Sequence, residues 1–191
     1  MRTPVEAVTA TAGAYLGFAR TFDYPRAEFW QEAEGADGLA PVRSQEEREA
    51  VYLAAFELGR EAPSVPLYEG FCRPGEGREG ILEDILRFYE YFDVRLREEN
   101  RDYPDHLVSE LEFMAFLASR EARALAEGAD PEPFRRAQRD FLERHLAVWA
   151  PELAGRLART GTIYGQLSRD LADFICAHEA TLGARTEGDS P

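Results

Sequence analysis

The 191 residues are 45% hydrophobic, which suits one domain with a substantial core and argues against two full domains. Acidic residues outnumber basic ones by 36 to 22, and the formal net charge of −14 argues against non-specific nucleic-acid binding, which needs a cationic surface. The same charge is compatible with a basic peptide partner, or with solubility alone.

Cysteine and histidine content limits the metal and redox chemistry of the chain. Cys72 and Cys176 lie far apart and form neither a C-x-x-C pair nor a zinc-ligand spacing, which favours a reduced protein with two incidental thiols. No apolar run approaches the roughly 18 residues of a membrane span, and the N-terminal segment lacks the apolar core of a signal peptide. We therefore expect a cytoplasmic protein without a metal, a cofactor or membrane insertion.

Helical spacing of apolar residues recurs through the first half of the chain. It predicts a helix over residues 5–22, a short one over 26–34, and one that begins at the capping box S-Q-E-E from Ser44 to Glu47. Residues 63–80 contain three prolines and four glycines, which predicts a long connection with P-L-Y-E (66–69) as an anchored turn. Helical periodicity resumes over residues 81–96.

The second half opens with the most apolar helix of the chain, which is predicted to begin near Leu107 and to form the centre of the core. Asp130 and Pro131 are predicted to start the next helix, and Pro151 to interrupt it. A last helix is predicted to end at Leu182, with a disordered tail over 183–191. No period-two alternation indicates a strand, so the fold class is all-α, a single-domain helical bundle over residues 1–182.

The stretch D-Y-P-D-H, residues 102–106, has three interpretations. In the first, Asp102 caps the central helix and Asp105 complements its dipole, which leaves His106 unexplained. In the second, Asp105 and His106 face a groove and pair with the basic groups of a ligand. In the third, they form an acid–base pair or bind a metal.

Other candidate residues each have a structural alternative. Glu110 lies four residues after His106, so it shares a helix face with it and either accepts an arginine in a cleft or is simply exposed. His145 and His178 fall near apolar stripes and are predicted to be core histidines with backbone partners. H-E-x-x-H and the glycine-rich nucleotide-binding motifs are absent.

Three stretches together resemble one known family: P-L-Y-E at 66–69, Y-P-D-H-L-V-S-E-L-E-F-M-A-F-L at 103–117, and F-L-E-R-H-L-A-V-W at 141–149. Their order and spacing are similar to those of the TorD/DmsD/NarJ maturation chaperones of molybdenum oxidoreductases. The branch that serves type II enzymes of the DMSO reductase family is the most similar. The family motif E-x-P-x-D-H is only partly present, because Asp105 follows Pro104 directly.

The resemblance implies an all-helical TorD-like bundle that is not an enzyme. It implies a chaperone that binds the twin-arginine signal peptide of a catalytic subunit and holds that subunit for cofactor insertion before export. The implied peptide-binding residues are Tyr68, Glu69, Asp105 and His106, with Glu110, Glu112 and Trp149 as further candidates. The chain is then a monomer or homodimer that binds no nucleic acid. The alternatives are a metal- or nucleotide-dependent hydrolase built on Asp105 and His106, and a helical adaptor without signal-peptide specificity.

Overall fold

The computed structural model describes residues 2–27, 44–58, 64–96 and 103–188, with side chains through residue 184. Within these ranges the regular structure is helical, and β-type pairing is limited to one isolated bridge. The predicted all-α class is therefore confirmed. Most of the short helix predicted over residues 26–34, and Asp102 in the D-Y-P-D-H stretch, lie outside the described residues.

Two helices in the described part of the N-terminal half begin with capping boxes. Thr3 caps α1 (Pro4–Phe22) and Ser44 caps α2 (Gln45–Leu53), and in each case a glutamate at the third helical position bonds back to the cap. The capping box at Ser44 was predicted from the sequence and is confirmed. α2 continues as a π-helical turn over Ala54–Leu58.

The connection over residues 63–80 contains a short helix. α3 (Glu69–Cys72) follows the P-L-Y turn, and α4 (Arg78–Tyr91) begins and ends earlier than the predicted range of 81–96. α4 stops because Asp93, just beyond it, adopts φ 51, a left-handed conformation that cannot continue a right-handed helix.

The central helix is α5 (Leu107–Glu127), as predicted. His106 is its N-cap, and the ring Nδ1 accepts the Val108 N–H at 3.3 Å. Gly128 ends the helix in the left-handed region, at φ 69. Buried residues cover most of its circumference: Leu107, Glu110, Leu111, Phe113, Met114, Ala115, Leu117, Ala118, Glu121, Ala122 and Ala124.

α6 (Glu132–Phe141), a π-helical turn (Leu142–Leu146) and α7 (Ala147–Ala158) follow one another without a break. Pro151, predicted to interrupt this segment, lies inside α7. Because proline has no backbone N–H, one hydrogen bond of the α7 ladder is missing at this position.

The last helix, α8 (Tyr164–Gly188), extends beyond Leu182, where the apolar pattern predicted its end. Residues 183–188, assigned to a disordered tail from the sequence, therefore continue the helix, and residues 189–191 lie outside the described residues. α1 packs along α5, and α7 packs along α8. No helix within the described ranges combines the length and hydropathy needed to cross a membrane.

Candidate functional site

Two short segments pair at the N-terminal end of α5. Residues 67–69 and 105–107 run antiparallel with an isolated bridge between Tyr68 and His106. Two backbone hydrogen bonds of 2.8 and 2.9 Å flank this bridge. We call these two segments the paired turn. It joins the P-L-Y-E and Y-P-D-H stretches, which lie more than thirty residues apart in sequence.

Asp105 is fully buried and is held by an arginine of the same chain. Its carboxylate accepts from Arg78 Nε at 2.9 Å and from a terminal nitrogen of Arg78 at 3.0 Å, and it also accepts the Gly70 N–H at 3.3 Å. Such a two-pronged charged pair fixes both side chains. The Arg78 guanidinium lies 4.5 to 5.3 Å from three ring centroids, those of Tyr103, Phe71 and Tyr68.

Glu69 is also fully buried, and its side chain points from the paired turn towards the interior. One carboxylate oxygen lies 2.9 Å from Nδ1 of His145, and the other bonds to Arg73. The second ring nitrogen of His145, Nε2, lies 3.1 Å from Asp84, which also pairs with Arg144. The predicted core position of His145 is confirmed, but its partners are carboxylates rather than backbone groups.

Glu110 and Trp149 meet beneath Glu69. The indole N–H of Trp149 donates to Glu110 at 3.0 Å, and both side chains are fully buried. The pKa of Glu110 is raised well above its ordinary value, mainly by burial and secondarily by the charge of Glu69. Both effects favour the protonated form of the Glu110 carboxyl group.

Tyr68 and His106 line an open cleft of about 280 Å³ on the outer side of the paired turn. Two carboxylates, Asp23 and Glu57, and one arginine, Arg26, also lie along it. The remaining lining is largely aromatic and apolar: Tyr24, Tyr52, Phe56, Pro66 and Leu67. We call this opening the acidic–aromatic cleft. Rings and carboxylates around one opening favour a cationic ligand.

Glu112 lies on the exposed side of α5 and lines a neighbouring cavity of about 180 Å³. This cavity shares Asp23 with the acidic–aromatic cleft, so the two openings adjoin. Apart from Glu112, Asp23, Arg95 and Ser109, its lining is apolar or aromatic: Tyr89, Val94, Leu96, Val108, Phe113 and Phe116.

The residues singled out from the sequence thus fall into two groups. Tyr68, His106 and Glu112 line the two openings. Glu69, Asp105, Glu110 and Trp149 are fully buried behind the paired turn, where they contact one another or other interior groups. Within the described part of the chain, no three His, Cys, Asp or Glu side chains are grouped to hold a metal ion.

Sequence reasoning missed Arg78, Asp23 and Glu57. A signal for Arg78 exists in principle, because a buried aspartate requires a cationic or N–H partner and Arg78 lies at the start of α4, the second helix after the P-L-Y turn. Asp23 and Glu57 lie at the ends of separate helical segments and belong to no motif. Only the packing of those segments brings them to one opening.

Comparison with known proteins gives a consistent set of matches. A profile of the family described as nitrate reductase delta subunit matches residues 20–155. The selenate reductase assembly chaperone protein of Thauera selenatis is 48% identical over 183 residues, which cover 96% of this chain and 95% of that protein. The chlorate reductase assembly chaperone protein of Ideonella dechloratans is 45% identical over 183 residues, with the same two shares. The dimethyl sulfide dehydrogenase assembly chaperone protein of Rhodovulum sulfidophilum is 37% identical over 158 residues, 76% of this chain and 63% of that protein.

Proposed function

The chain belongs to the nitrate reductase delta subunit family, and from this premise we propose that it is an assembly chaperone for the catalytic subunit of a molybdenum oxidoreductase of the DMSO reductase family. It acts by binding and not by catalysis. Relatives that share nearly its whole length are named as assembly chaperones of selenate and chlorate reductases, which supports this function.

The acidic–aromatic cleft binds the arginine pair of the client's twin-arginine signal peptide. One observation carries this proposal: Asp23 and Glu57 share an opening with the rings of Tyr24, Tyr52 and Tyr68. A guanidinium can donate to a carboxylate in a charge-assisted hydrogen bond while it stacks on a ring. The adjoining cavity, lined by side chains such as Phe113 and Phe116, covers part of the apolar run that follows the arginines.

The buried candidates support peptide binding from behind the cleft. Asp105 and Glu69 fix the two halves of the paired turn through Arg78 and the interior network. Tyr68 and His106, which contact the peptide in this proposal, are presented from that turn.

The rival hydrolase function finds no support at this site. The Asp105 carboxylate is engaged by Arg78, and Nδ1 of His106 accepts the Val108 N–H. A nucleophile or general base needs an oxygen or nitrogen directed at a substrate position. Both groups instead stabilise the start of α5.

The proposal places the protein in the cytoplasm, because a client has to be held before its export. It acts there as a monomer or homodimer. The proposed function involves no membrane insertion, no nucleic acid and no bound cofactor.

Calorimetric titration tests the function directly. The probes are a synthetic peptide with two adjacent arginines followed by an apolar run, and the same peptide with both arginines replaced by glutamine. We expect only the first to bind, and Glu57→Gln to weaken its binding about tenfold, the loss of one charge-assisted hydrogen bond at a partly exposed site. Glu83→Gln, which removes an exposed carboxylate on α4, is the control with the same charge change. Equal binding of both peptides contradicts the proposal.

A further inference from the structure

Two buried carboxylates fix the paired turn to the rest of the fold: Asp105 through Arg78, and Glu69 through the interior network. The backbone N–H of Glu69 donates to the carbonyl of Asp105 at 2.9 Å, so Glu69 is part of the turn itself. Its carboxylate points the other way and contacts His145 at 2.9 Å, in the π-helical turn between α6 and α7. Glu69 therefore links the turn to a helical segment far along the chain.

Both ring nitrogens of His145 face carboxylates. Nδ1 faces Glu69 at 2.9 Å and Nε2 faces Asp84 at 3.1 Å, and the ring is 2% exposed. A neutral imidazole has one N–H and one lone pair, so it can donate to only one of two carboxylates and directs its lone pair at the other. The doubly protonated ring donates to both.

The surroundings of the ring leave it little freedom to move. The centroid of Phe141 lies 4.9 Å from that of His145, and the centroid of Phe88 lies at 5.9 Å. Charged or titratable groups near the ring come from every element that contributes to the network: Glu69 and Arg73 on α3, Asp84 on α4, Glu110 on α5, and Arg144 beside it in the π-helical turn. Among these, Glu110 has a pKa that burial, and secondarily the charge of Glu69, raise well above its ordinary value.

We propose that His145 is a positioning residue for signal-peptide binding: as an imidazolium it holds Glu69, and through Glu69 the paired turn, in the conformation that forms the acidic–aromatic cleft. It does not touch the peptide. When the ring loses one proton, either Nδ1 or Nε2 directs its lone pair at the carboxylate it faces, Glu69 or Asp84. The resulting repulsion weakens the link through His145 and loosens the turn. The effect of His145 on peptide binding rests on the proposed function. Its effect on the conformation of the turn can be tested without any peptide.

Amide hydrogen exchange measures whether His145 stabilises the paired turn. Protection factors are compared for the N–H groups of Glu69 and Leu107, which form the two backbone hydrogen bonds of the turn. We expect His145→Gln to lower both at least tenfold while the amides of α8 keep theirs. His178→Gln is the matched control, because that ring bonds to the Tyr15 hydroxyl at 2.8 Å, away from the turn. Unchanged protection in folded His145→Gln protein overturns the proposal.

The effect of His145 on binding is tested by measuring the affinity for the twin-arginine probe peptide as a function of pH. We expect the affinity of the natural protein to fall about tenfold as the ring loses its proton. The midpoint should match the NMR titration of the His145 ring and not that of His106, which lines the cleft. His145→Gln should bind at least tenfold more weakly at low pH and show no such midpoint. An affinity that follows the His106 titration alone overturns the proposal.

Asp84→Asn removes the carboxylate charge that faces Nε2 of His145 and keeps the size of the side chain. The new amide can donate to Nε2, so a neutral ring can keep its N–H on Glu69, and we expect this variant to bind well and to lose the pH dependence. A pH profile in Asp84→Asn identical to that of the natural protein overturns the role of the imidazolium. If no variant binds the peptide, yet exchange at the turn responds to His145→Gln, the proposed function fails and the positioning role of His145 stands.

Discussion

The Asp105–Arg78 pair gives the most quantitative prediction. Asp105→Asn removes the charge of a carboxylate that is 0% exposed, while the Arg78 side chain is 30% exposed. Removing one partner of a fully buried ion pair typically costs about 3–5 kcal/mol. Water reaches the guanidinium here and compensates part of that loss, so we expect the free energy of unfolding to fall by about 2 kcal/mol.

Urea unfolding followed by circular dichroism measures this change, with Glu83→Gln as the control. Glu83 and Arg87 are 4.0 Å apart and both largely exposed, so that variant should change stability by less than about 0.5 kcal/mol. A cycle with Arg78→Met isolates the pair, since the double variant should lose less than the sum of the two single losses. If Asp105→Asn is no less stable than Glu83→Gln, the assignment of Asp105 as the internal anchor of the turn is refuted.

Two further predictions concern Glu110 and Gly70. The folded state keeps Glu110 protonated at pH values where the unfolded chain has released that proton, so the natural protein should lose stability as pH rises above about 4.5, by up to about 1.4 kcal/mol per pH unit. Glu110→Gln should remove this slope in pH-dependent urea unfolding, and an unchanged slope would disprove the protonated state. A Cβ at Gly70 would clash with Cγ of Arg78, so Gly70→Ala should displace that side chain from Asp105 and destabilise the protein by about 1–2 kcal/mol. Thermal unfolding can compare it with Gly80→Ala, which has open space inside α4 and should gain about 0.5–1 kcal/mol; equal effects of the two would contradict the packing argument.

The helical architecture followed from the sequence because its signals are local. The box at Ser44 and the apolar spacing after Leu107 depend on residues three or four positions apart, and the structure confirms both. The errors concern where helices are interrupted or end. Pro151 is accommodated inside α7, and α8 continues beyond the last apolar position at Leu182.

The site was only partly predictable. His106 and Asp105 were found from their pattern, but their roles depend on partners distant in sequence. The pattern suggested that Asp105 complements a helix dipole or binds a ligand, whereas in the structure its carboxylate forms an ion pair with Arg78. Glu110 was expected either in a cleft or exposed, and it is buried against Trp149. No spacing rule reveals such pairings across helices.

The central claim is that carboxylates of the acidic–aromatic cleft recognise the arginines of a signal peptide. The most direct measurement is the coupling energy between a peptide arginine and Glu57, obtained by titrating the natural protein and Glu57→Gln with the arginine peptide and its glutamine counterpart. We expect a coupling of about 1 kcal/mol or more that weakens with salt. Additive effects of the two changes, with no coupling at low salt, would contradict it.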